Sequence, residues 1–97
     1  MVILIKKTLS RFAEKHPASA TPLNNWYDIA KAADWNKLAD IKKDFNNVDY
    51  VGNDRYVFNI KGNNFRLVAL IFFDKRTLFI RFIGTHSEYD KIDCTNI

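Results

Sequence analysis

Apolar positions along the chain change period three times, and each change marks a new element. Val2 to Ile5 are apolar without a break, which predicts a short strand buried on both faces. From Lys6 the spacing becomes helical: Ile5, Leu9, Phe12 and Ala13 share one face, and Lys7, Arg11, Glu14 and Lys15 lie outside it. His16-Pro17 ends that helix, because the residue before a proline is driven out of helical geometry. Thr21-Pro22 predicts a second helix, with threonine as N-cap and proline at the first helical position. Its apolar face is Leu23, Trp26, Tyr27, Ala30 and Ala33. Asp34 is placed to cap a third, shorter helix ending near Phe45, which buries Leu38, Ile41 and Phe45 and exposes Asp40 and Lys43.

After Asn46-Asn47 the texture turns to β. Arg55–Ile60, Phe65–Phe73 and Thr77–Ile83 are rich in aromatic and β-branched residues and are separated by turn chemistry at Lys61-Gly62-Asn63-Asn64 and Asp74-Lys75-Arg76. Asp49 to Asn53 fit either a lead-in loop or a short extra strand. Thr85 and Glu88 form a Thr-x-x-Glu capping box, which predicts a short final helix opening at Thr85. The order of elements is strand, two or three helices, a three-stranded antiparallel meander and a terminal helix. That is an α+β chain with its helices on one face of the sheet, and residues 1–97 are expected to form a single domain.

Strand pairing then decides which side chains meet. If Ile60 pairs with Phe65, Asn59 opposes Arg66 and Val57 opposes Val68. Phe65, Leu67, Ala69, Ile71 and Phe73 form a wholly apolar face that should meet the helices, while Arg66, Val68, Leu70 and Phe72 point away. A two- or four-residue second turn is expected to pair Leu70 with Arg81 and to bring Arg81 to the Arg66 face; a three-residue turn reverses this. The first register is preferred because it keeps Arg81 out of the apolar face, and it sets Thr85 beside Arg66. His86 and Tyr89, three apart on the last helix, then fall at the same corner.

Composition narrows the chemistry. With 47% apolar and 27% charged residues, 97 residues suit one modest hydrophobic core. The net charge of +4 favours polyanionic partners. Its distribution is more telling. Arg11 is the only arginine before residue 49, whereas Arg55, Arg66, Arg76 and Arg81 follow it, and arginine is the better residue for fixed contact with phosphate. One cysteine, Cys94, excludes an internal disulfide. Two histidines seventy residues apart argue against a protein-ligated metal site, and isolated glycines at 52, 62 and 84 exclude phosphate-cradling glycine loops. The apolar run at the start is too short for a secretory signal, and no stretch approaches a membrane span, so a cytosolic setting is expected.

The candidate residues are thus Asn59, Arg66, Arg81, His86 and Tyr89. Each also has a structural explanation: a histidine at a helix start is commonly a surface group, Tyr89 fits a core edge, and Arg81 could pair with Glu88 or Asp90. Lys61, Lys75 and Arg76 at loop tips fit plain solvated charge, and Tyr56, Phe58 and Phe79 fit core packing better than base stacking.

The run Arg55-Tyr56-Val57-Phe58-Asn59-Ile60-Lys61-Gly62-Asn63-Asn64-Phe65-Arg66-Leu67-Val68-Ala69, then Ile71-Phe72-Phe73 and Thr85-His86-Ser87-Glu88-Tyr89-Asp90, resembles the HigB toxins of bacterial type II toxin–antitoxin systems. Ile5 to Leu9 and Ala13 to Pro17 resemble the opening strand and helix of that group. The likeness spans nearly the whole chain and is most specific from 55 to 90. It implies a RelE-like fold and an mRNA interferase, a ribonuclease that cleaves translated mRNA on the ribosome without metal or cofactor. It also implies neutralisation by a helix-turn-helix, HigA-like antitoxin. On this likeness Arg66 and Arg81 would stabilise phosphate charge, and His86 would act as acid or base with Tyr89 assisting. Lys43, Asn59, Lys61, Asn64, Lys75 and Arg76 would contact RNA. Two other functions remain open on the residues alone: a non-catalytic RNA- or DNA-binding module, and a domain that binds only protein.

Overall fold

A computed structural model describing residues 1–62 and 64–97 places the nearly unbroken apolar run Phe65–Phe72 at the centre of a five-stranded sheet. In chain order the elements are β1 (Val2–Leu4), α1 (Lys7–Lys15), a 3-10 turn (Pro17–Ser19), α2 (Ala20–Ala32), α3 (Leu38–Asp44), β2 (Val48–Gly52), β3 (Arg55–Ile60), β4 (Phe65–Phe72), β5 (Thr77–Thr85) and α4 (His86–Tyr89). Strands β2 to β5 form an antiparallel meander, and β1 adds to β5 in parallel, giving the sheet order β1-β5-β4-β3-β2. The expected α+β, RelE-like arrangement is present, with β2 as a fourth meander strand where the sequence left loop and strand open. Asn53 and Asp54, both at positive φ (51° and 62°), make the two-residue turn whose twist suits a tight hairpin. Asn63, which the sequence places in the next connection, lies outside the described residues.

The core follows the predicted face of β4. Phe65, Leu67, Ala69 and Ile71 join Tyr56, Phe58 and Ile60 of β3 and Leu78, Ile80 and Ile83 of β5 against Leu9, Leu23, Trp26, Ala30, Trp35 and Ile41. Trp26 and Phe45 both meet the Phe58 ring edge to face at 5.4 Å, an aromatic cluster that joins α2 and the α3 end to β3. Register between β3 and β4 is as expected: Ile60 opposes Phe65, Asn59 opposes Arg66 and Val57 opposes Val68. On the other face Val57 and Val68 are nonetheless buried. The chain beyond α4 returns along that side, where Asn53 Nδ2 donates to the Thr95 carbonyl (3.1 Å) and Arg55 Nε and Nη2 donate to the Ile97 carbonyl oxygen (3.1 and 2.6 Å).

Four expectations need correction. β1 is an edge strand, not a doubly buried one: Val2 and Leu4 are 56% and 40% exposed, because only Ile3 shares the face of Leu78. Ile5 leaves the strand at φ 67° and is 47% exposed, a strained conformation for a β-branched residue that turns the chain into α1. Helix α2 opens at Ala20, ahead of Thr21, because the Pro17 turn runs straight into it; Pro22 still falls in the first turn, where its missing N–H costs nothing. Asp34 does not cap α3, which opens at Leu38; it accepts a hydrogen bond from Arg76 instead.

The fourth correction concerns Arg81. The turn from β4 to β5 spans residues 73–76 and pairs Phe72 with Thr77, which sets Leu70 opposite Phe79 rather than Arg81. A bulge follows: Ala69 opposes Ile80 and Val68 opposes Phe82, so Arg81 is the extra, exposed residue. Gly84, not Thr85, then opposes Arg66.

These burials predict a contrast. Leu67→Ala, at a fully buried site, should cost about 2–5 kcal/mol, while Leu4→Ala on the edge strand should cost under about 1 kcal/mol. Urea unfolding midpoints at a common slope would measure both, and equal losses would put β1 back in the core.

Candidate active site

β5 ends and α4 begins at one residue. Thr85 closes the last pair of the β4–β5 ladder, opposite Phe65, and is also the N-cap of α4. Its Oγ1 accepts the Glu88 backbone N–H (3.2 Å), and Glu88 Oε1 accepts the Thr85 backbone N–H (2.8 Å), completing the capping box read from the sequence. The Thr85 backbone N–H holds the Glu88 carboxyl below its ordinary pKa. One helical turn is enough to swing His86 and Tyr89 back over β4.

There they meet Arg66. Its Nη2 lies 3.0 Å from His86 Nε2, and its guanidinium carbon sits 4.8 Å from the centre of the Tyr89 ring, a cation–π distance. His86 Nδ1 lies 3.3 Å from Asp90 Oδ2. A guanidinium can only donate, so the Arg66 contact requires a lone pair on Nε2. That selects the tautomer with the proton on Nδ1, where it is donated to Asp90. The resulting chain, Asp90–His86–Arg66, orients the imidazole from both sides. Arg66 Nε is buried and has no acceptor among the described residues, leaving one of its donors unmet.

Tyr89 is tied from below. Its hydroxyl donates to Cys94 Sγ (3.3 Å), and its ring lies 6.5 Å from that of Phe82. Burial, with the Cys94 contact second and Arg66 opposing, pushes its phenol up to about 12. It is therefore neutral at physiological pH and serves Arg66 as a flat surface. Gly84 makes room for this packing: a Cβ there would stand 2.4 Å from Phe82 Cζ and 3.2 Å from Glu88 Cβ.

The structure thus brings Arg66, His86 and Tyr89 into contact and sets Asn59 directly opposite Arg66 on the neighbouring strand. Lys61 and Asn64 are exposed on the β3–β4 turn, one step beyond the row of Phe65 and Thr85. Arg81, exposed at its bulge, makes no hydrogen bond or ion pair with the cluster among the described residues. Lys75 and Arg76 lie at the opposite end of β4, and Arg76 is engaged by Asp34, Asn36 and the Trp35 carbonyl, so it ties the β4–β5 turn to the stretch before α3. Lys43 is on α3, which packs against β2 at the far edge of the sheet. Three contributors were missed. Asp90 stands four residues after His86, a spacing that could have flagged it. Cys94 and Gly84 carry no comparable signal, since each depends on a contact the chain alone does not reveal. Among the described residues, no three His, Cys, Asp or Glu side chains converge on a point suited to a metal ion.

Residues 19–92 match the family described as HigB_toxin, RelE-like toxic component of a toxin-antitoxin system. An mRNA interferase HigB of Escherichia coli O6:H1 is 33% identical over 94 residues, covering 95% of this chain and 91% of the relative. The mRNA interferase HigB of Shigella flexneri is 34% identical over 93 residues, covering 93% and 88%. The chain belongs to the HigB toxin family. Membership makes it the toxic half of a toxin–antitoxin pair, with an antitoxin as partner. In this HigB-family chain no helix among the described residues is long and apolar enough to cross a membrane.

The corner's dependence on its cap is testable. Thr85→Ala should cost about 1 kcal/mol and loosen His86, read as lost protection of the Glu88 amide from hydrogen exchange. Glu88 has a lowered pKa in the folded chain, so its contribution is present above its unfolded pKa and fades as pH falls through the folded value. Glu88→Gln should flatten that part of a stability–pH curve; an unchanged acid limb would dismiss the box as a stabilising element.

Proposed function

We propose that this HigB-family chain is a metal-independent endoribonuclease, an mRNA interferase that cleaves translated mRNA on the ribosome, and that Arg66, His86 and Tyr89 form its active site. The observation that carries the proposal is the 3.0 Å contact between Arg66 and His86 on the Tyr89 ring. It joins a fixed cation to a proton acceptor without any other group between them, which is what phosphodiester chemistry requires.

An RNA phosphate competes for the Arg66 guanidinium with charge-assisted hydrogen bonds stronger than the one to a neutral imidazole. When Nη2 turns to phosphate, His86 Nε2 is released and can take the proton of the adjacent 2′-hydroxyl, while Asp90 steadies the imidazolium that forms. The 2′-oxygen then bonds to phosphorus and the bond to the 5′-oxygen breaks. Arg66 balances the charge that builds on the non-bridging oxygens. The leaving 5′-oxygen takes its proton from water, since the Tyr89 hydroxyl is committed to Cys94. Turning the guanidinium also offers the orphaned Nε a chance of an acceptor, relieving a cost of about 1–3 kcal/mol. Asn59, Lys61 and Asn64 lie beside this corner and serve as RNA contacts. Arg81, Lys75 and Lys43 lie away from it and fit the larger surface of a ribosome, with salt-dependent affinity. A helix-turn-helix antitoxin supplies the neutralising partner.

A pure stacking module has less support, because Tyr56 and Phe58, two of the three aromatics that could have shown their faces to bases, are buried in the core.

Expression of the chain should arrest growth, and Arg66→Ala or His86→Ala should each relieve it while keeping the unfolding midpoint. In a translating lysate each should lower mRNA cleavage by about 10²–10⁴, with 5′-end mapping, with and without ribosomes, as the measurement. Intact toxicity in both variants would remove the site. Tyr89→Phe preserves the ring under Arg66 and should retain activity within about threefold, whereas Tyr89→Ala should lose at least about tenfold, in line with a lost cation–π contact. Because the phenol titrates near 12, the rate should show no Tyr89-dependent limb between neutrality and mildly alkaline pH; a limb abolished by Tyr89→Phe would make it an acid after all.

A further inference from the structure

α4 has a second side. His86 and Tyr89 face Arg66, but Glu88 faces α1 across a cleft of about 240 Å³ lined by Thr8, Arg11, Phe12, Lys15, His16 and Ile83. Thr8, Arg11, Phe12 and Lys15 fall at i, i+3, i+4 and i+7, one stripe of α1 beside its buried Leu9. Arg11 and Lys15 form no salt bridge among the described residues, and the one carboxylate in the cleft, Glu88, is held by the Thr85 backbone N–H. The cleft therefore sets two cations, neither of them in an ion pair among the described residues, against one carboxylate, and its net charge is positive.

Its floor is aromatic. The half-buried His16 imidazole stacks on Phe12 at 4.3 Å and meets the edge of Phe65 at 5.8 Å, and neither of its ring nitrogens has a hydrogen-bond partner among the described residues. Phe65 is the chain neighbour of Arg66 and pairs with Thr85, so the cleft and the Arg66–His86 corner lie on the two sides of one strand end. Cations beside a flat aromatic with free polar edges are what a nucleotide uses: the phosphate takes the charge, and the base takes the stack and an edge hydrogen bond.

We propose that the α1–α4 cleft is a second RNA subsite, in which Arg11 and Lys15 hold a phosphate flanking the scissile one and the His16–Phe12 stack receives the adjoining base. The proposal rests on the ribonuclease function above. RNA leaving the Arg66 corner crosses the single turn of α4 and enters the cleft, so the same short helix that positions the acid–base group also separates the two subsites. His16, which the sequence marks only as the end of α1, becomes a specificity-determining residue, since it lies in the stack itself with both ring nitrogens unpartnered among the described residues and so can read the edge of the base it receives.

The test uses the full chain and a fluorescent single-stranded oligoribonucleotide in which 2′-O-methyl groups block cleavage, with the unblocked RNA cleaved by the parent as a check on the function itself. Arg11→Ala/Lys15→Ala should weaken binding about tenfold, by fluorescence anisotropy, and reduce the slope of log K against log salt by about one to two. Lys37→Ala/Lys42→Ala, at the N-cap of α3 and within it, removes the same charge elsewhere and should change binding less than twofold. His16 ring proton resonances should shift on adding oligonucleotide to the parent. If the two double variants weaken binding equally, only net charge is at work and the subsite is wrong. Unmoved His16 resonances at saturation would also overturn it, as would loss of antitoxin binding with RNA binding intact. Failure of the parent to cleave the unblocked RNA would instead strike the ribonuclease reading.

Discussion

Everything at the candidate site hangs on the reciprocal hydrogen bonds between Thr85 and Glu88. A strand and a helix need incompatible backbone geometries, and here they meet without a loop. Thr85 solves this by staying extended (φ −69°, ψ 166°) as the last residue of β5 while its side chain satisfies a helical N–H of α4. A helix of one turn is far below the length at which helices hold themselves together. Its persistence therefore depends on the cap at one end and, beyond it, on Asp90 and Cys94 gripping His86 and Tyr89. Gly84 completes the device by letting Phe82 and Glu88 lie against the backbone where a Cβ would stand.

Much of this was legible because it is periodic or local. Alternation along β4 named the buried face, and the three-residue spacing of Thr85 and Glu88 named the cap. The register from Ile60 to Phe65 followed from the hairpin length. What was not legible has a common physical origin: it turns on a residue count that periodicity does not carry. The turn that pairs Phe72 with Thr77 leaves β5 two residues short of the expected register, and the bulge at Arg81 recovers only one of them, so Gly84 rather than Thr85 stands opposite Arg66. An alternating pattern read across a bulge stays plausible on both sides and so conceals the slip. Likewise Val2 to Ile5 read as buried because they are apolar, but an edge strand of this sheet buries only the side that meets α2, and Ile5 is diverted by its own backbone. Asp34 had the chemistry of a cap and was used as an anchor for Arg76, a choice made 42 residues away. The return of residues beyond α4 to Asn53 and Arg55 has no repeat to announce it.

The two faces of the sheet divide the labour between them. The helix-side face holds nearly all of the contiguous core, so the other face is free to carry a charged side chain on its most central strand. Arg66 can be half-buried there only because its neighbours offset the loss of water: a ring beneath it and an imidazole lone pair beside it. The balance is incomplete, since Nε has no acceptor among the described residues. A cation held slightly short of full satisfaction binds an anion better than one already paired with a carboxylate. The Asp90 carboxylate is spent on His86 instead of Arg66. That placement keeps the positive charge unneutralised and the imidazole oriented at once. Had Asp90 reached Arg66 directly, the corner would be an ordinary surface ion pair, stable and inert toward phosphate.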